Sequence, residues 1–454
     1  MDLLSRLRRR RALVLGGVYL IFALHYLHWR VAGTTLAPLE LSEVLRTVHL
    51  GVVTAGFLLM LAAIGATLLF GRFFCRWGCH LLAIQDLAAT LLPKLGVQPG
   101  PPRWRVLRLV PWVMLAYLFV WPLLLRWQSG DAWPGLHVLD DSGGWGSWFT
   151  RDPWRNLPGP GVALVTFAVC GPVMVGTLGL RSFCRDACPY GALFGAADRV
   201  APTRIVLTGA CIQCNRCTVV CPSGLDVLAE LRAGGAVRDP MCLRDLDCVA
   251  VCPTGGLRVA RAAFDLAPTR PPEAAPPPLG QEVALGAMIL ALFLIFRGLY
   301  GLVPSLLALG IAVLFGVGAM RAFLRMRASL TSRMRPTSRT LAAAAALVLG
   351  LALVAHSAAI RGLELRAESA YSQASRGDPE ARAEAITTLT RIHRWGLLTP
   401  PALHPMLASL YLNGGQLDLA ATELDAALEA SPDDIGTQRA LAAIRAQQAA
   451  LRRD

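Results

Sequence analysis

The chain has 454 residues, 54% of them hydrophobic, and a mean hydropathy of +0.49. Those values exclude an ordinary soluble protein of this size and fit a multi-span membrane protein with lipid as its main solvent. The net charge of +14 comes from arginines set at the ends of apolar runs, which argues for membrane orientation and against nucleic acid as a partner.

Seven apolar runs are long enough, or nearly so, to cross a bilayer, at about 12–29, 50–70, 107–125, 161–180, 282–300, 303–323 and 341–360. The first follows Arg8 to Arg11 and has no small-x-small cleavage site. It continues through His25 and His28 to an aromatic edge at Trp29, so it reads as an uncleaved anchor. His49 opens the second run, and the three histidines read as ordinary interfacial side chains rather than a haem or quinone site.

Directly after the second run stands Gly71-Arg-Phe-Phe-Cys75-Arg-Trp-Gly-Cys79-His80, and directly after the fourth stands Arg181-Ser-Phe-Cys184-Arg-Asp-Ala-Cys188-Pro189-Tyr190. A Cys-x3-Cys pair fills only half of a four-coordinate site, so Cys75, Cys79, Cys184 and Cys188 are expected to join in one iron or iron-sulfur site. His80 is a candidate ligand or proton carrier beside it. Cys170, inside the fourth run, reads as packing. Between these pairs, Trp133, Trp145, Trp148 and Trp154 in the loop 127–160 look like an interfacial belt.

The most specific feature follows: Cys211-Ile-Gln-Cys214-Asn-Arg-Cys217-Thr-Val-Val-Cys221-Pro222, the spacing of bacterial ferredoxins. Three thiolates at intervals of three reach three corners of a cubane, and the fourth ligates the neighbouring cluster. A second run, Cys242-Leu-Arg-Asp245-Leu-Asp-Cys248-Val-Ala-Val-Cys252-Pro253, has aspartate in place of the second cysteine. Crossed ligation gives cluster I Cys211, Cys214, Cys217 and Cys252, and cluster II Cys221, Cys242, Cys248 and whatever Asp245 offers. Cluster II is then Asp-ligated, open at one iron, three-iron or lost, because a carboxylate suits iron in a cluster less well than a thiolate. Arg216 and Arg244 read as surface charges able to raise potentials only if they stay near the sulfurs, and Asp247 as a solvated loop charge.

A Pro-rich linker from Ala267 to Leu279 leads into the last three runs, which carry few polar groups. Beyond them, Leu407, Ala408, Tyr411, Ala420, Leu424, Ala427 and Pro432, with Gly414-Gly415 at a turn, match a tetratricopeptide repeat, and 367–400 can hold a degenerate one.

The ordered set of two Cys-x3-Cys pairs after spans and then a two-cluster ferredoxin run resembles the membrane polyferredoxins of the NapH and NosR type, over roughly residues 12–262. The departures are His80, where proline is usual, and Asp245. The resemblance implies an integral membrane electron-transfer protein working with the quinone pool or a periplasmic redox partner. Relatives include an iron-sulfur protein linked to copper reduction, and the large periplasmic flavin-binding domain of the nitrous-oxide branch is not expected here.

The expectation is therefore a mainly α, polytopic helical membrane protein of about seven spans, with a two-cluster ferredoxin-like domain (small α+β) and a helical repeat-like tail. Its divisions are 1–180 (four spans), 181–262 (ferredoxin-like), 263–281 (linker), 282–360 (three spans) and 361–454 (tail). The positive-inside rule puts 71–106, 181–281 and 321–340 in the cytoplasm of a bacterial inner membrane and the tail in the periplasm. The function expected is single-electron relay through [4Fe-4S] clusters between a quinone or redox protein and the cytoplasmic face. The alternatives are a copper or iron reductase and a redox-sensing assembly factor that docks a client on its tail.

Overall fold

The computed structural model describes residues 3–97, 104–141, 145–152, 156, 159–262, 277–331, 338–432 and 434–451. Most of the Pro-rich linker (263–276), Trp154 and part of the basic stretch (332–337) lie outside them. The chain forms two compact units, Met1–Ala287 and Met288–Asp454.

Among the described residues six helices are long and apolar enough to cross a membrane: Leu3–Ala32, Val106–Ser129, Gly159–Leu178, Leu279–Phe296, Ser305–Ser329 and Ala344–Ala374. The expected second span is shorter. Its helix, Ala55–Phe70, has 16 residues, about 24 Å against a hydrocarbon core of about 30 Å. Thr54 ends it by accepting from the Phe57 N–H at 3.2 Å. The residues before it are held extended, Val53 N–H donating to the His137 carbonyl at 2.9 Å. His49 consequently belongs to a separate helix, Val44–Leu50.

In the first unit the ends of these helices away from the cysteines are tied together by backbone pairing. Thr35–Leu36 pairs antiparallel with Phe149–Thr150, and Ala37 N–H donates to the Trp148 carbonyl at 2.7 Å. Trp29 donates from Nε1 to Arg151, and the Arg46 guanidinium lies over the Trp145 ring, while Trp133 is exposed. Two π-helical turns interrupt the spans, at Ala116–Val120 and at Val169–Val173. The second holds Pro172, which lacks an N–H, and the fully buried Cys170.

The segment after the second cysteine pair is a small α+β layer. Thr203–Leu207 pairs antiparallel with Leu257–Arg261, and the short helices Arg216–Val219, Val227–Gly234 and Asp247–Ala250 lie between them in sequence. Ile205, Leu225, Val227, Leu231, Val237 and Leu257 form its core.

In the second unit the helix Ser338–Ala374 runs without a break through residue 360, where a tail boundary was expected. Its end packs on Pro379–Trp395 and Leu403–Asn413 through Ala367, Ala370, Ala385, Leu389 and Leu407. Leu403–Asn413 and Leu417–Ala430 form the expected helical hairpin about Gly414-Gly415, and Ala408, Ala420 and Leu424 pack with Leu441 and Ile444 of the final helix. The Tyr300 N–H donates to Glu364 Oε1 at 2.6 Å, and Leu397 N–H donates to the Tyr300 hydroxyl at 3.0 Å, which fastens the tail to the loop after Leu279–Phe296.

Candidate iron-sulfur sites

Two cavities in the α+β layer collect the cysteines in crossed sets. Cys211, Cys214, Cys217 and Cys252 line one of about 370 Å³. Cys221, Cys242, Cys248 and Asp245 line the other, of about 300 Å³. The two loops share one backbone shape. Gln213 and Asn215 have φ of 56° and 58°, and their counterparts Arg244 and Leu246 have 53° and 65°. Non-glycine residues avoid this region at a cost, and its retention in both loops marks a constraint on the site. Cys252 is held below the usual thiol range: burial opposes this, but the Thr254 hydroxyl and the backbone N–H groups that follow outweigh it. Burial pushes Cys248 up to about 12 and Cys242 well above its ordinary value.

Asp245 stands where the cysteine is missing, but both its oxygens are engaged. Oδ1 accepts from Arg11 at 3.2 Å, and Oδ2 is paired with Arg181. Burial acts to raise its pKa, and Arg181, then Arg11 and Arg76, hold it below the ordinary carboxylate value instead. Asp247, expected in solvent, is buried at 1% exposure and pairs with Arg8 at 3.0 Å and Arg11 at 3.6 Å. Asp86 completes the network, 3.0 Å from Arg11 and 3.4 Å from Arg181. Arg8 and Arg11 are thus more than flanking charges: they bolt the first helix to the second cluster loop. Arg244 is buried rather than on the surface. It donates to the Phe70 carbonyl at 3.1 Å and to Asp198 Oδ1 at 2.7 Å.

The two Cys-x3-Cys pairs come together. Cys75, Cys79 and Cys184 pack about Leu15, Leu82 and Leu243, and Cys188 lies within electrostatic reach of Cys79 and Cys75. Burial raises all four thiols, Cys79 to about 11 and Cys188 to about 12. Polar contacts reach the sulfurs from Gly191 N–H (3.3 Å), Gln85 Nε2 (3.7 Å) and Arg72 Nη2 (3.9 Å). Leu243 also lines the second ferredoxin cavity, so one buried side chain joins the two sites.

The pairs belong to a repeated unit, Arg-x-Phe-Cys-Arg-x-x-Cys, at 72–79 and 181–188. In each copy a glycine, Gly71 (φ 79°) or Gly179 (φ 95°), ends the incoming helix. A five-residue turn follows, Phe73–Trp77 or Ser182–Asp186, and an extended cysteine then starts a 12-residue helix, His80–Leu91 or Pro189–Val200. The copies exchange partners. His80–Leu91 packs on the π-turn of the fourth span, where Ile84 lies against Gly171, and Pro189–Val200 packs on Ala55–Phe70. Sequence reasoning attended to the cysteines and passed over the arginine and phenylalanine at matching offsets.

His80 is not gathered with other ligands. Its ring lies between Phe22 (5.4 Å) and Phe167 (5.7 Å), and burial lowers its pKa to about 4. His28 meets Thr35 and His49 meets the Leu118 carbonyl. Among the described residues no three His, Cys, Asp or Glu side chains close on a single ion.

Apolar helices carrying two crossed ferredoxin-type cavities beside four gathered thiols fit an iron-sulfur protein of the membrane polyferredoxin kind. The family models agree: one described as a 4Fe-4S binding domain matches residues 52–98 and again 161–205, and one described as a 4Fe-4S dicluster domain matches 205–253. The chain is 30% identical over 207 residues to the putative electron transport protein YccM of Escherichia coli (strain K12), covering 44% of this chain and 54% of that one. It is 28% identical over 156 residues to the methylamine utilization ferredoxin-type protein MauN of Methylobacillus flagellatus, covering 34% and 48%. The chain spans about half the length of these curated relatives. No solved structure matches.

Proposed function

We propose that the protein passes single electrons along three iron-sulfur groups: one held by Cys211, Cys214, Cys217 and Cys252, one by Cys221, Cys242 and Cys248, and one by Cys75, Cys79, Cys184 and Cys188. The clusters supply one-electron chemistry, and the chain supplies thiolates, exclusion of water and charge. The observation that carries this reading is Leu243, which lines the second cavity and packs with Cys75, Cys79 and Cys184, so that it bridges the two sites. Asp245, neutralised by two arginines, is a poor iron ligand, which favours a three-iron or open second cluster. The membrane end of the line exchanges electrons with quinone or a redox protein.

On this reading the cysteines face the cytoplasm of a bacterial inner membrane. The tail, separated from the ferredoxin segment by the span Leu279–Phe296 and fastened to the loop after it, faces the periplasm, where its helical hairpins offer a docking surface for a partner protein. Anaerobic purification with iron and sulfide analysis tests the cluster assignment. About eleven irons per chain are expected, falling by about four in Cys184→Ala, with an oxidised three-iron signal in electron paramagnetic resonance. About seven irons, unchanged in Cys184→Ala, would remove the third site.

A further inference from the structure

Two arginines occupy matching places in the repeated unit, three residues before its first cysteine, and their surroundings differ. Arg181 is balanced by carboxylates, Asp245 and Asp86. Arg72 is 1% exposed and among the largest fully buried side chains. Its Nη1 donates to the Pro240 carbonyl at 2.7 Å, and its Nη2 donates to the Gly191 carbonyl at 2.9 Å and lies 3.9 Å from Cys75 Sγ. Among the described residues no carboxylate forms a salt bridge with it: Asp198, the acid whose charge acts on it, pairs instead with Arg244 and Arg204. A buried guanidinium held by neutral carbonyls therefore keeps its full charge directed at the four thiols.

We propose that Arg72 sets the reduction potential of the group held by Cys75, Cys79, Cys184 and Cys188, by countering the negative charge that arrives with the electron. This rests on the four-cysteine reading above. Four thiolates give such a cluster a net negative charge that grows by one on reduction, and a fixed cation in a water-excluded site stabilises the reduced form. Arg72 is a positioning and tuning residue. It ligates nothing, and its hydrogen bonds to Gly191 of the second repeat and to Pro240 of the ferredoxin segment hold the charge in place.

The test is a redox titration of the purified full-length protein, followed by electron paramagnetic resonance, with the two ferredoxin clusters as internal references. In Arg72→Gln the third signal is expected to persist. Its reduced-to-oxidised ratio at fixed ambient potential should fall at least tenfold, a shift of about 59 mV to more negative values for one electron. Arg72→Lys should restore the native potential, and the ferredoxin signals should not move. A persistent but unshifted signal in Arg72→Gln overturns the proposal. Should that variant lose the third cluster, the lysine variant decides: retention at the native potential supports the charge, and loss there too makes Arg72 a fold residue and overturns it. Absence of a third cluster from the wild-type protein by iron count is a different failure, that of the four-cysteine reading, and it takes the proposal with it.

Discussion

Replacing Asp245 with asparagine removes one of the two carboxylates, with Asp86, that face both Arg11 and Arg181. The Asp245, Arg11 and Arg181 side chains are 6%, 9% and 3% exposed, so water cannot take its place. Breaking a buried pair by deleting one partner costs about 3–5 kcal/mol. Arg181 keeps Asp86 at 3.4 Å, and Arg11 keeps Asp86 at 3.0 Å and Asp247 at 3.6 Å, which points to the lower end. A loss of about 3 kcal/mol lowers the folding equilibrium roughly a hundredfold. Denaturant unfolding in detergent, followed by tryptophan fluorescence for Asp245→Asn, Arg181→Gln and the double variant, measures it. The double variant should lose less than the sum of the singles by about 1–3 kcal/mol. The pH dependence has a defined sign. Because the folded pKa is depressed, the stabilisation is complete above the ordinary carboxylate range and is lost as pH falls through the folded value, a dependence that the asparagine variant lacks. Strictly additive effects, or an asparagine variant as stable as the wild type, would refute the network as the clamp on this loop.

Gly71→Ala should cost about 2–3 kcal/mol and lower the unfolding temperature, because φ of 79° with ψ of −166° admits only glycine and the Arg244 guanidinium packs where a methyl group would stand. Glu230 offers a second pH test. Its Oε2 accepts from the Arg238 and Asp239 N–H groups, and burial raises its pKa to about 7. The folded state then binds the extra proton between the ordinary glutamate value and about 7. Wild-type stability, measured against Glu230→Gln, should therefore fall as pH rises through that window; a rise would contradict the assigned shift.

The cluster cavities were legible because a fixed spacing of thiols on one loop is a local property: Cys211, Cys214 and Cys217 meet wherever the rest of the chain goes, and only Cys252 had to arrive from elsewhere. Asp245 was legible as a departure but its partners were not. Arg11 lies 234 residues away and Arg181 lies 64 away, and nothing in the composition of either segment names the other. For the same reason Asp247 read as solvated and Arg244 as superficial, although tertiary packing buries both. The shortened second span has a different cause. Hydropathy continues smoothly from Leu50 to Phe70, whereas the backbone pairs Val53 with His137 and starts the helix only at Ala55. The repeat about the two cysteine pairs was in plain view in the sequence, and its exchange of helices was not.

That exchange bears on how the protein is made. A chain emerging from the ribosome presents Cys75 and Cys79 first, and the helices that complete their surroundings, Gly159–Leu178 and Pro189–Val200, follow by about a hundred residues. Until they arrive, Arg72 has no Gly191 carbonyl to hold, Gln85 has no Cys184, and Ile84 has no Gly171 to rest on. A half-synthesised molecule carries two thiols without their partners from the second repeat, so on the four-cysteine reading proposed above metal loading would wait for synthesis to pass about residue 200, and a nascent chain arrested earlier would stand open to oxidation at that pair.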